Sequence, residues 1–131
     1  MSEDAVRTIF EGFEGLNLVA DVRGRENDWP VLFLHGGGQT RHAWGRSART
    51  VASQGWRTVS LDLRGHGESE WATNGDYSFT AFCADVIAVT DQLRKPPVLV
   101  GASLGGMSAM LAEGTSDRTV SSGLILVQNT R

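Results

Sequence analysis

Cysteine is nearly absent from this chain of 131 residues, and Cys83 stands alone. A single thiol cannot staple a fold, and it has no CxxC partner with which to hold a metal. Histidine is scarce as well. His35, His42 and His66 are the only three, and they lack metal-ligand spacing, so no metal is expected. No block of Lys and Arg breaks the balance that leaves a net charge of −3, which argues against a nucleic-acid partner. No apolar run approaches the ~18 residues of a membrane span. The start, Met1 to Arg7, carries neither a basic nor an apolar leader region. A soluble, cytoplasmic protein without membrane partners is the expectation. No repeat, low-complexity tract or linker interrupts the chain.

What is present suits one ordinary domain. Hydrophobic residues make up 40% and charged residues 21%, enough to build a core and too ordinary for disorder. Glycine is abundant at 16 residues, and several follow apolar runs directly: Gly36 to Gly38 after Val31–Leu34, and Gly101 after Val98–Val100. Turns from a strand into a helix often need such residues.

Between Thr8 and Arg23 the alternation of Leu16, Leu18, Ala20 and Val22 with Asn17, Val19, Asp21 and Arg23 predicts a hairpin turning at Glu14-Gly15. Val31–Leu34 is a continuous apolar run, as a strand buried on both faces requires. Trp44, Ala48, Val51 and Ala52 recur at helical spacing, ended by Gly55. Thr58–Leu61 is the next strand. Ser78 is a candidate N-cap for a helix with Phe79, Phe82, Cys83, Val86, Ile87 and Leu93 on its apolar face. Pro96-Pro97 stop it, Val98–Val100 form a strand, Leu104–Glu113 a helix, and Leu124–Val127 a last strand. This order predicts an α/β fold: a mostly parallel sheet flanked by helices on both faces, with right-handed crossovers and an N-terminal β-hairpin. In such sheets, sites lie beyond the C-terminal ends of the strands.

Gly101-Ala102-Ser103-Leu104-Gly105 matches G-x-S-x-G between a strand and a helix. The spacing has a mechanical reason: the chain turns sharply, the serine is held in a strained conformation, and flanking glycines remove clashing Cβ atoms. Ser103 then projects at a helix N-terminus, where a developing anion is favoured. Other glycine-rich sites fail. No Lys follows Gly105 or Gly106 as a P-loop requires. From Gly36 and Gly38 the third position of a dinucleotide fingerprint is Arg41. His35-Gly36-Gly37-Gly38-Gln39 ends the Val31–Leu34 strand, and its bare glycines suit backbone N–H groups aimed at an oxyanion.

Three blocks, Leu34 to Gly38, Leu61 to Ser69 and Val100 to Gly106, resemble the α/β-hydrolase superfamily. The likeness is to its serine esterase, lactonase and haloperoxidase-like branch, and to the N-terminal half only. The resemblance implies roles. Ser103 matches the nucleophile, the backbone N–H groups of Gly37 and Leu104 match the oxyanion donors, and Arg64 to Gly67 match a loop bordering the site. It implies a serine hydrolase acting on an ester or related carbonyl substrate through an acyl-enzyme, with no cofactor. Serine at the elbow argues against the epoxide hydrolase and dehalogenase branches, where Asp is expected. Ala102 stands where many relatives carry His, a position outside the triad.

The family order is Ser, then an acid, then His. After Ser103 the only acids are Glu113 and Asp117, no histidine follows, and Gln128-Asn129 occupy the place of the relatives' acid. Residues 1–131 therefore read as the N-terminal portion of one domain, truncated before its lid and C-terminal strands, with little activity expected alone. The competing reading is a non-catalytic fragment that self-associates through an exposed sheet edge or pairs with a complementary chain. Among the other residues, His35 is expected to pack beneath the glycine loop, His42 to lie on the surface and His66 to edge the site. Asp62 is expected to bond loop backbone, Asp85 and Asp91 to be solvated, and Cys83 to be buried. Trp29, Trp44, Trp56 and Trp71 are read as core or loop anchors.

Overall fold

The structure is a computed structural model that describes residues 4–128. Asn129, half of the pair at the relatives' acid position, lies outside the described residues. Two strands, β1 (Val6–Glu11) and β2 (Asn17–Arg23), form the antiparallel hairpin. The chain reverses through a short 3-10 turn in which Glu14 (φ 60°) and Gly15 (φ 79°) adopt left-handed backbone. β3 (Pro30–Leu34) is buried along its whole length, as its unbroken apolar run requires. Next come a 3-10 turn at Arg41–Trp44, α1 (Gly45–Ser53) and β4 (Arg57–Leu61). They are followed by α2 (Phe79–Asp91), β5 (Val98–Ala102), α3 (Leu104–Thr115) and β6 (Gly123–Val127).

Local chemistry sets these boundaries. Ser78 Oγ accepts the Ala81 N–H at 3.2 Å and starts α2, which satisfies one of the donors every helix N-terminus leaves open. Gly55, at φ 97°, takes the left-handed backbone that ends α1. α3 runs on through Gly114 to Thr115, one turn edge further than the sequence suggests.

The six strands lie in the order β1-β2-β4-β3-β5-β6. β3 is parallel to β4 and β5, and β5 to β6, while β2 runs antiparallel to β4. The period of two sends alternate residues to opposite cores. Val31 and Phe33 of β3 pack with Ala48 and Trp44 on the α1 side. Leu32 and Leu34 pack with Phe82, Val86 and Val89 of α2 and Ala109 and Ala112 of α3. Helices thus cover both faces. From β3 the chain passes to β4 on one side and later reaches β5 on the other, so the order reverses between β3 and β5. The crevice beyond the C-terminal ends of these two strands is where such a sheet places its site.

Three expectations need correction. Asp85 is not solvated: it has no exposure and is paired with Arg64. Phe79 sits on the first turn of α2 with half its surface exposed rather than on the apolar face. Trp71 is 74% exposed and so is no core anchor. Asp91 does lie exposed, 2.6 Å from the Arg118 guanidinium, and Cys83 is buried.

Candidate active site

β5 leads straight into α3, and Ser103 is the single residue between them. It is exposed and holds φ 54°, ψ −118°, backbone that an L-residue keeps only when its surroundings enforce it. The enforcement is close backbone packing. A methyl on Gly101 would lie 2.7 Å from Gly105 and Gly106, and one on Gly105 would strike the Leu34 carbonyl. The Gly105 N–H donates to the His35 carbonyl at 3.1 Å, which ties the first turn of α3 to the end of β3. Among the described residues nothing hydrogen-bonds to the Ser103 hydroxyl.

The glycine loop after β3 lies against this turn. A methyl on Gly36 would stand 3.5 Å from Ser103 Cβ, and one on Gly37 would stand 3.9 Å from Leu104 Cβ. Within the loop, Gly36 N–H gives to Gln39 Oε1 at 3.0 Å, Gln39 N–H to the Gly36 carbonyl at 3.1 Å, and Gly38 N–H to His66 Nε2 at 3.1 Å. Among the described residues no acceptor takes the N–H of Gly37 or of Leu104. Ser103, Gly37 and Leu104 are thus brought together. Gly36, Gly37 and Ser103 open on a cavity of about 870 Å³ with Trp44, Met107 and Leu126, and among the described residues no charged one lines it.

The second loop, after β4, is locked by buried ion pairs. Asp62, with no exposure, accepts from the Arg41 N–H and guanidinium, both at 2.6 Å, and from the Glu68 N–H at 3.0 Å. Arg41 also reaches Glu68 Oε1 at 2.8 Å. Its Nε lies 3.0 Å from Asp21 Oδ1, close enough for an ion pair but off the hydrogen-bond axis. Burial alone would lower the Arg41 pKa, but hydrogen bonds to Asp62 and Glu68 and the charge of the nearby Asp21 carboxylate outweigh it and hold the guanidinium above its ordinary range. The same bond to Arg41 holds the Glu68 carboxyl below its usual value. Arg64 forks onto Asp85, with Nε to Oδ2 at 2.6 Å and Nη2 to Oδ1 at 2.9 Å, and this raises its pKa despite burial.

No histidine reaches Ser103. His35 is buried beneath the loop, with Nδ1 2.7 Å from the Gly36 carbonyl and Nε2 3.0 Å from the Leu63 amide nitrogen. Burial pushes its pKa down. A carbonyl only accepts, so Nδ1 carries the proton. His42 is exposed, 3.9 Å from Asp21. His66 edges the site. Asp62 bonds loop backbone as expected. Glu113 is spent on the Ser121 N–H at 3.1 Å. Sequence reasoning missed Gln39 and Arg41. A polar side chain right after a glycine loop was the available signal for Gln39, and Arg41 carried none.

Residues 30–123 match the alpha/beta hydrolase fold family. The chain is 37% identical to an esterase from Mycobacterium tuberculosis over 81 residues, 61% of this chain and 26% of that protein. It is 32% identical to a non-heme chloroperoxidase from Streptomyces lividans over 94 residues, 71% of this chain and 34% of that protein. It thus spans about a quarter to a third of these curated relatives. Among solved structures, an epoxide hydrolase from Vigna radiata superposes with a TM-score of 0.85 at 23% identity, over 95% of this chain and 40% of that one, a likeness of fold alone. Among the described residues no helix is long and apolar enough to cross a membrane.

Proposed function

This chain belongs to the alpha/beta hydrolase family, and from that premise we propose that it carries the nucleophile and oxyanion donors of a serine hydrolase for ester-type carbonyl substrates. Ser103 attacks the carbonyl carbon. Its proton passes to a base, and the carbonyl oxygen becomes an oxyanion held by the N–H groups of Gly37 and Leu104. Collapse expels the alcohol and leaves an acyl-enzyme, which water cleaves in a second cycle of the same steps. The dipole of α3 adds favourable potential where the negative charge develops. His35, His42 and His66 are not placed to accept the proton, so the base is supplied from outside residues 4–128. No cofactor enters the reaction.

One observation carries this reading. An exposed serine is held at φ 54° between a strand and a helix, with one unclaimed N–H on either side of it. A strained backbone persists only where its surroundings over-determine it, and two free donors flanking a free hydroxyl is the arrangement acyl transfer requires. The esterase among the relatives agrees in class. The epoxide hydrolase does not bear on the reaction, because serine stands where its branch is expected to carry Asp.

Fluorophosphonate labelling of the protein as its gene encodes it, read by intact mass, tests the reading. The expected result is one adduct on the wild type and none on Ser103→Ala, with both proteins giving the same cooperative melt. A folded wild type that takes no label sinks it.

A further inference from the structure

His66 takes no part in the reaction above, yet it grips the loop on which that reaction depends. The N–H groups of Gly36, Gly38 and Gln39 all have acceptors, and the one that holds Gly38 is His66 Nε2 at 3.1 Å. Among the described residues of the loop, Gly37 alone keeps its donor for a ligand. The other end of the ring is also spent: Nδ1 lies 2.9 Å from the Arg64 carbonyl. That carbonyl can only accept, so Nδ1 carries the proton and Nε2 the lone pair. The ring is seated between His35, at 5.0 Å between centroids, and Phe82, at 6.4 Å. Arg64 is in turn forked onto buried Asp85 of α2. A continuous set of contacts therefore runs from the α2 core through Arg64 and the imidazole to Gly38.

We propose that His66 is a positioning residue for the oxyanion side of the site: its neutral ring holds the Gly38 N–H and so keeps the Gly37 N–H turned into the cavity beside Ser103. The inference rests on Gly37 being an oxyanion donor. The charged and titratable groups around the ring are already committed. His35, at the end of β3, spends both ring nitrogens. Arg64 and Asp85 are paired, Asp62 and Glu68 are held by Arg41, and α2 presents uncharged Phe82.

Nitrogen-15 NMR reads the contact without any reaction. A scalar coupling across the hydrogen bond between the Gly38 amide nitrogen and His66 Nε2 is expected. In His66→Phe the Gly38 amide should exchange with solvent about tenfold faster or more. In His66→Gln, whose side-chain oxygen can accept the same N–H, slow exchange should persist. The rate of fluorophosphonate labelling should fall by about 100-fold in His66→Phe, as for a catalytic group displaced by an ångström, and recover to within a few-fold in His66→Gln. Absence of the coupling, or labelling that proceeds at the same rate in wild type and His66→Phe, overturns the proposal. A wild type that shows the coupling but never labels overturns the Ser103 reading and leaves the contact itself supported.

Discussion

At His35 the two ring nitrogens are committed to the Gly36 carbonyl and the Leu63 N–H, and the residue has no exposure. Burial is the largest influence on it and lowers its pKa from the ordinary 6.5, opposed by the Gly36 hydrogen bond and Asp62 and assisted by His66. A depressed folded pKa contributes stability that is present above the unfolded value and lost as pH falls through the folded one. The melting temperature should therefore decline as the solution is taken from neutral to about pH 5. His35→Asn, which can still donate and accept but cannot titrate, should flatten that slope, and an unchanged slope would place its origin elsewhere. Single residues were legible in proportion to how local their chemistry is. The strained turn at Ser103 could be named because such a turn needs its glycines two positions away. Arg41 could not, because its partner Asp62 is 21 residues distant and only the fold brings them together.

Elements were legible wherever a period or a cap announced them, as Ser78 announces α2 and Gly55 ends α1. The misreading came from the same rule: a charge in a helix is ordinarily solvated, and nothing near Asp85 in sequence reveals Arg64. Removing one partner of a buried pair strands the other. Asp85→Ala should thus cost about 3–5 kcal/mol in denaturant unfolding, where a surface aspartate would cost almost nothing. α3 offers a sharper comparison, because two of its glycines behave oppositely. A methyl on Gly105 meets the Leu34 backbone, whereas one on Gly114 meets nothing within 4 Å. Gly105→Ala should destabilise by about 3 kcal/mol, and Gly114→Ala should stabilise by about 0.5–1 kcal/mol. Similar values for the two would mean that α3 does not sit against β3 as described.

For the molecule as a whole, the alternation of apolar runs and helical stretches foretold the layers, and the hairpin foretold the antiparallel edge. The order β4-β3-β5 was out of reach, because strand adjacency depends on crossovers that no local pattern records. At the far edge, β6 leaves Leu124, Ile125, Leu126 and Val127 between 36% and 53% exposed. An apolar strand with an open ladder templates association. The 131-residue chain should sediment as concentration-dependent oligomers, with Ile125→Lys shifting it toward monomer. A wild type that stays monomeric at high concentration refutes this. The contact between Gly105 and the end of β3 has a wider consequence. The serine's pose is held by peptide atoms touching peptide atoms, not by any exchangeable side chain. Trp44, Met107 and Leu126 only line the space in front of it. Under the proposed reaction, reactivity and selectivity therefore reside in separable parts of the molecule: mutation can remodel the walls, and with them which acyl group is preferred, while the serine keeps its pose.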